Sequence, residues 1–580
     1  MWLKQAPLLS LPSLCLNFLN VLTSARSSGT SLVTVAKTIK HAQLRDTLKM
    51  TEIVMTQTPP ILHGPSEKER KYDRQLRLWA ASGQAALESA NILLLNSGAG
   101  TVGVETLKNL VLPGIGRFTI ADAAKVAEAD LGVNFFLDED SLGKSRAQSC
   151  TELLLELNPE VQGDWFPKNE EPLKLDKLLE HSPTFTTILY TCPIHPDDLK
   201  LVEGYAQEHK TPVIAVHSAG LYSYFRISLP GAFPIVDTHP DVTATTDLRL
   251  LAPWPELLDF SKGMTENIES LSDHDHGHLP YVVILLHYLD QWKETHNGAY
   301  PSTYKEKAEF RKMVADATRR SNAEGGEENF DEAVAAVMVT VTPPSLPSGL
   351  KEVFEYGHSG QVKQKTGFWL IADAVEQFYQ RHKCLPLTGS IPDMKAQSSV
   401  YIQLQNIYKA KARRDVAEVL EIVQGFPDGR NIDPGEVELF CKNAAFVKLI
   451  NAGGAKADRL ATVFEEETAK DAFAEEAMLP LSLVPIYLAL FATSHVPAAS
   501  AEEILTTVKN LLPGSADNER LAQAAQEVAR AGGGELHNIS ALTGGMVAQE
   551  MIKIITKQYI PIDNTCIFDG IGSRSQVLRL

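Results

Sequence analysis

The run Gly98-Ala99-Gly100-Thr101-Val102-Gly103 constrains the fold more than any other stretch of this chain. It follows an apolar strand candidate, Ile92 to Leu95, and opens a helix candidate, Val104 to Val111. A second strand candidate, Phe118 to Ala121, ends at Asp122. Strand, glycine turn, helix, strand and acid, in that order, form the nucleotide-binding unit of a doubly wound α/β fold. The glycines allow a tight turn and close backbone approach, so N–H groups at the helix N-terminus can face phosphate oxygens. An acid at the end of the second strand can accept hydrogen bonds from ribose hydroxyls. Gly98, Gly100, Gly103 and Asp122 are therefore candidates for a nucleotide pocket. The competing reading is a strand-to-helix turn that binds nothing. A Walker-type loop is excluded: Gly143-Lys144-Ser145 ends like one, but Asp138 stands where its first glycine is required.

A chain of 580 residues has room for roughly three or four domains. Its 44% hydrophobic and 22% charged content is that of an ordinary globular protein. A formal charge of −18 argues against nucleic-acid binding and favours basic partners. The cysteines (Cys15, Cys150, Cys192, Cys384, Cys441 and Cys566) are far apart and form no CxxC pair. They read as reduced thiols, not as a disulfide framework or a zinc site. The first 45 residues contain Lys4, Arg26, Lys37, Lys40 and Arg45 but no acid. A secretory signal, a mitochondrial presequence and an extension upstream of a start at Met50 or Met55 compete there, and the extension fits the cysteine usage best. The stretch Leu8 to Leu22, broken by Pro12, is too short to span a membrane.

Residues 1–65 are expected to be disordered or extraneous to the fold. An amphipathic helix is predicted over 66–82, carrying Lys71 to Trp79. The α/β pattern begins at Asn91 and continues with a helix from Lys144 to Leu157, a strand from Phe185 to Tyr190, a helix near Asp197–Glu208, and strands at Pro212–Val216 and Tyr222–Ser228. From about 280 to 525 helical periodicity dominates, as at Phe368, Ile371, Ala372, Val375 and Phe378. Tyr281 to Tyr288 reads as a buried core helix. The tail returns to α/β character, with a small-residue helix from Asn538 to Thr556 and closing strands near Ile560 to Phe568. The expected architecture is α/β: a doubly wound, mostly parallel sheet over 66–285 and 526–580, split by a mainly helical insert over 286–525.

Two constellations look chemical in isolation. In Asp273-His274-Asp275-His276-Gly277-His278, alternate side chains of an extended segment would converge as metal ligands. With no further ligand cluster nearby in sequence, a solvated loop is the expected reading. Cys384 follows Arg381, His382 and Lys383, the best local field for a reactive thiolate, but lacks a catalytic context and reads as inert.

Several segments together resemble the activating enzymes of ubiquitin-like modifiers, most closely the regulatory subunits of the heterodimeric neddylation kind. They are KYDRQLRLW at 71–79, LKNLVLPGIGRFTIAD at 107–122, DLGVNFFLDEDSLGKSRA at 130–147, PSTYKEK at 301–307, IPDM at 391–394 and GGMVAQEMIKIITKQ at 544–558. The resemblance implies an adenylation domain that binds ATP and magnesium and activates a modifier's C-terminal glycine, followed by transfer to a cysteine on another domain. Gly98, Gly100, Gly103, Asp122 and Lys144 match the family's pocket. Val133 stands where an ATP-contacting arginine is expected, and no carboxylate stands near Tyr190-Thr191-Cys192-Pro193, where a magnesium ligand is expected. The helical insert carries no catalytic-cysteine motif. The resemblance thus implies a pseudo-adenylation subunit with a remnant pocket and no metal of its own.

Its expected partners are a catalytic subunit that supplies the ATP and magnesium site, the modifier and a conjugating enzyme, in cytoplasm and nucleus, without nucleic acid or membrane. Arg74 would reach in trans toward the partner's ATP. The alternatives are the smaller subunit of the sumoylation activating enzyme, a self-sufficient activating enzyme, a pure scaffold, and an NAD-dependent dehydrogenase built on the same glycine fingerprint.

Overall fold

The computed structural model describes residues 64–580 apart from 170–171, 242–245, 321–325, 361, 363–364, 366, 451–456, 497 and 516–517. The expectations for residues 1–63, Cys15 among them, lie outside the described residues. The chain divides into two units, 1–73 and 74–580. In the described part of the first, helix α1 (Glu67–Lys71) starts at Ser66, whose hydroxyl accepts from the Glu69 N–H while the Glu69 carboxylate accepts from the Ser66 N–H. Such a capping box satisfies two of the N–H groups a helix start leaves open. The single helix expected over 66–82 is therefore two. The second, α2 (Asp73–Ser89), also kinks at Trp79 and Ala80, where Ala80 takes φ 56°. There the Trp79 ring packs on Gly83 and its indole N–H donates to Gln84 at 3.1 Å.

The large unit is built on an eight-stranded sheet of order β10-β9-β6-β5-β4-β1-β2-β3. The strands are β1 (Asn91–Leu95), β2 (Arg117–Ala121), β3 (Gln162–Phe166), β4 (Thr187–Thr191), β5 (Val213–Ala219), β6 (Tyr222–Ser228), β9 (Thr565–Asp569) and β10 (Arg574–Leu578). Strands β3, β2, β1, β4 and β5 run parallel, and β6, β9 and β10 add antiparallel pairs. A parallel strand covered on both faces needs apolar residues throughout, and β1, Asn-Ile-Leu-Leu-Leu, is buried along its whole length. Alternate residues serve opposite faces. Leu94 packs with helices α3 (Thr101–Val111) and α12 (His537–Thr556) through Leu107, Val547 and Met551. Leu93 packs with α5 (Pro196–His209) through Val202. A Cβ on Gly544 would lie 2.9 Å from both Glu105 Cβ and Thr106 N, so α3 and α12 cross in backbone contact.

Strand β3 was not expected from sequence. Its residues, Gln-Gly-Asp-Trp-Phe, form the half-exposed edge of the sheet, where no apolar run is needed. Helix α4 (Arg146–Leu157) starts two residues later than expected, because the Ser145 hydroxyl caps it by accepting from the Gln148 N–H. The boundary expected at 285/286 falls inside helix α6 (Tyr281–Thr295), whose buried face joins Phe310, Phe330 and Tyr408 in the helical core. Toward the other end of the expected insert, helices α10 (Val484–Ala492) and α11 (Glu519–Ala531) pack on the sheet with Tyr222, Tyr224 and Ile567. A short ribbon, β7 (Phe233–Val236) with β8 (Val447–Ile450), adjoins a further helical core. That core holds Trp369, Ile371 and Val375 of α7 (Gly367–His382) and Val419 and Val423 of α8 (Ser398–Gln424). None of the described helices is long and apolar enough to cross a membrane.

Candidate functional site

The glycine loop sits between the C-terminal ends of β1 and β4, where the chain order of the sheet reverses. Open α/β sheets bind ligands at that point. Gly98 and Gly100 hold φ of 61° and 66°, the left-handed region that favours glycine. A Cβ on Gly103 would meet Asn96, Leu94 and Thr191 at 2.7–2.9 Å, so the third glycine lets α3 press onto the sheet. All three are thus required by the turn itself, whatever it binds.

The pocket beside this loop is filled by the chain's own side chains. Asp122, 2% exposed, does not face an open ribose site. Its Oδ2 receives Arg146 Nε at 2.7 Å and Asn96 Nδ2 at 2.9 Å, and its Oδ1 receives the Ala124 N–H at 2.9 Å. Arg146 also donates through Nη1 to the Ala99 carbonyl of the glycine loop and to Asp130, each at 3.2 Å. Burial works against the Arg146 charge, and the carboxylates of Asp122 and Asp130 outweigh it, holding the guanidinium above its ordinary pKa. The N-terminus of α3, where a phosphate would sit, is taken as well: Glu535 Oε2 accepts from the Val102 N–H at 2.8 Å and from the Ser540 hydroxyl at 2.5 Å. An acceptor at this place satisfies a donor that the helix start leaves open.

Lys144 lies apart from the Arg146–Asp122 pair. It stands exposed on the turn before α4, its carbonyl bonded to the Val126 N–H, while the buried cation that reaches Asp122 is Arg146, two residues on. Val133 is half-buried and carries no charge, and the neighbouring Asn134 turns inward toward Phe136 N and Cys150. At the end of β4, Thr191 hydrogen-bonds to Ser97, and the next five residues, Cys192 to Pro196, include no carboxylate. ATP with magnesium does not fit this residue set. A nicotinamide dinucleotide fails for the same reason, since its ribose acid is already engaged. Arg146 was present in the sequence beside Lys144, but only the start of α4 decides which of the two faces the pocket. Glu535 lies more than four hundred residues from the loop it meets, and no local signal marks it.

The remaining candidates separate cleanly. Arg74 is exposed on α2 and has no ion pair or hydrogen bond among the described residues. The histidine cluster is not a solvated loop throughout. A short helix, Asp273–His276, turns His276 into the core, where its Nδ1 pairs with Glu327 at 2.7 Å and its ring stacks on Phe330. The His274 and His278 rings lie 4.2 Å apart and tilted by 36° outside that core, so the three imidazoles do not converge. The five described cysteines are all buried. Burial pushes the Cys150 and Cys192 thiols up to about 12, and raises Cys384 despite the nearby Arg249.

Burial pushes the Glu535 carboxyl up to about 7, against hydrogen bonds from Ser540, Val102 and Gly100 and the charge of Arg146. An acid raised on folding from its ordinary 4.5 stabilises the fold in its protonated form. That contribution is complete below pH about 4.5 and is lost as pH rises through about 7. Glu535→Gln keeps the acceptor and removes the titration. Unfolding midpoints measured from pH 5 to 8 are expected to fall for the wild type and to flatten for Glu535→Gln; parallel curves would contradict the assignment.

The ThiF family model matches residues 72–580. Among curated proteins, the chain is 35% identical over 547 residues to a NEDD8-activating enzyme E1 regulatory subunit of Xenopus laevis, covering 88% of this chain and 99% of that protein. It is 36% identical over 542 residues to the one from Gallus gallus, at 89% and 99% coverage. It is 33% identical over 540 residues to the NEDD8-activating enzyme E1 regulatory subunit AXR1 of Arabidopsis thaliana, at 89% and 97% coverage. With a ThiF-type α/β sheet, a glycine loop at its switch point and relatives matched along nearly their whole length, the chain belongs to the ThiF family, among the NEDD8-activating enzyme E1 regulatory subunits.

Proposed function

We propose that this subunit of a neddylation activating enzyme performs no adenylation itself and supports the adenylation carried out by a catalytic partner. The observation that carries this reading is the self-filled pocket, in which Arg146 engages Asp122 and Glu535 occupies the start of α3. ATP, magnesium and the thioester cysteine then belong to the partner subunit. Arg74 faces outward, and a planar guanidinium suits bidentate contact with phosphate. Its proposed role is to neutralise phosphate charge at the partner's site. The modifier and a conjugating enzyme engage the assembled heterodimer, with the helical insert helping to shape their groove.

The test is reconstitution with the catalytic subunit of a NEDD8-activating enzyme, scored by thioester formation on purified modifier. A thioester is expected on the catalytic subunit, and only when both chains are present. A thioester on this chain, or full activity of the catalytic subunit without it, would overturn the reading.

A further inference from the structure

Helix α8, helix α9 (Pro434–Lys442) and the loop 387–391 enclose a groove of about 640 Å³ in the helical part of the molecule. Its helical wall follows from one face of α8. Lys409, Arg413, Val416 and Leu420 recur at helical spacing, with Ala412 and Ala417 beside them. The opposite wall is held close, because Gly389, at φ 78°, brings its backbone onto Ala412. The floor is half-buried apolar surface from Ala412, Val416 and Leu420, and the rim carries Lys409, Arg413 and Lys442.

The charges on that rim are the unusual part. On the other side of the same helix, Lys411 pairs with Asp415 and Arg414 with Glu256. Lys409 hydrogen-bonds to Gln405, and neither Arg413 nor Lys442 has an ion pair among the described residues. Among the described residues, Glu438 is the only acid lining the groove. Lys409 and Arg413, four residues apart on the helix, repel each other. The chain as a whole carries −18, so acids were available to neutralise this face, and they are placed elsewhere.

We propose that this groove docks an acidic peptide segment of a partner protein, with carboxylates on Lys409, Arg413 and Lys442 and an apolar side chain on Val416 and Leu420. The partner is a protein and not a nucleic acid, because the surrounding field of an acidic chain repels a long polyanion, whereas a short acidic segment with an apolar anchor meets only the local rim and floor. This surface is separate from the glycine-loop pocket and does not depend on the reading of that site.

The experiment measures fluorescence anisotropy of short labelled peptides of alternating glutamate and leucine with the full chain. Lysine–leucine peptides and a single-stranded oligonucleotide serve as comparisons. Two surface variants are used: the double variant Lys409→Glu, Arg413→Glu, and Ala417→Trp, which fills the groove without altering charge. Saturable binding of the glutamate peptide is expected, weakened at least about tenfold by each variant, with melting curves matching the wild type. The proposal is overturned by absence of saturable binding. It is also overturned if Ala417→Trp binds as well as wild type, which would reduce the effect to surface charge, or if the oligonucleotide binds with the same dependence on both variants.

Discussion

Arg146→Ala is expected to lower the melting temperature of the sheet-bearing part of the molecule by about 10 °C. The argument rests on what the substitution leaves behind. The Arg146 and Asp122 side chains are 5% and 3% exposed and lie 2.7 Å apart. Without the guanidinium, Asp122 keeps only Asn96 and the Ala124 N–H as partners, and the Ala99 carbonyl loses its donor. Removing one member of a buried pair costs about 3–5 kcal/mol, mostly because the remaining charge has no counterpart. Removing both charges is a different matter. Arg146→Met combined with Asp122→Asn leaves no buried carboxylate unpaired at that position and is expected to recover most of the loss. Thermal unfolding of the two variants checks this: equal destabilisation of the single and the double variant would contradict the pairing.

Arg74→Ala is expected to slow ATP–pyrophosphate exchange by the reconstituted heterodimer about a hundredfold, with the two chains still co-purifying. Arg74 is exposed, so its removal leaves no buried group unpaired, and the fold is expected to be unaffected. A charge contact made as phosphate charge develops acts mainly on turnover and leaves ground-state binding nearly unchanged. The loss should therefore appear in kcat, with KM for the modifier little changed. Arg74→Lys keeps the charge without the planar fork and should recover only part of the rate. Unchanged exchange by Arg74→Ala would remove the proposed contact in trans.

Much of the sheet was legible in the sequence, because parallel strands buried on both faces must be apolar throughout, as β1 is. The edge strand β3 was not, since an edge carries no such demand. The glycine loop was located correctly, yet its φ values and close contacts show that the turn alone requires those glycines. What occupies the pocket was hidden for two reasons. Choosing between Lys144 and Arg146 depends on where Ser145 caps the helix, a matter of single residues. Glu535 reaches the loop through the tertiary fold, across the whole helical insert. His276 illustrates the same limit. Its neighbours in sequence suggested metal or solvent, and its neighbour in space is the buried Glu327.

The central claim is that this chain carries a nucleotide-type pocket occupied by its own side chains. Equilibrium titration of ATP with magnesium into the isolated chain and into the heterodimer tests it most directly. The account predicts no saturable binding to the isolated chain and one ATP per heterodimer, lost when the catalytic subunit's site is disabled. Saturable ATP binding to the isolated chain, abolished by substitution in the Gly98–Gly103 loop, would contradict it.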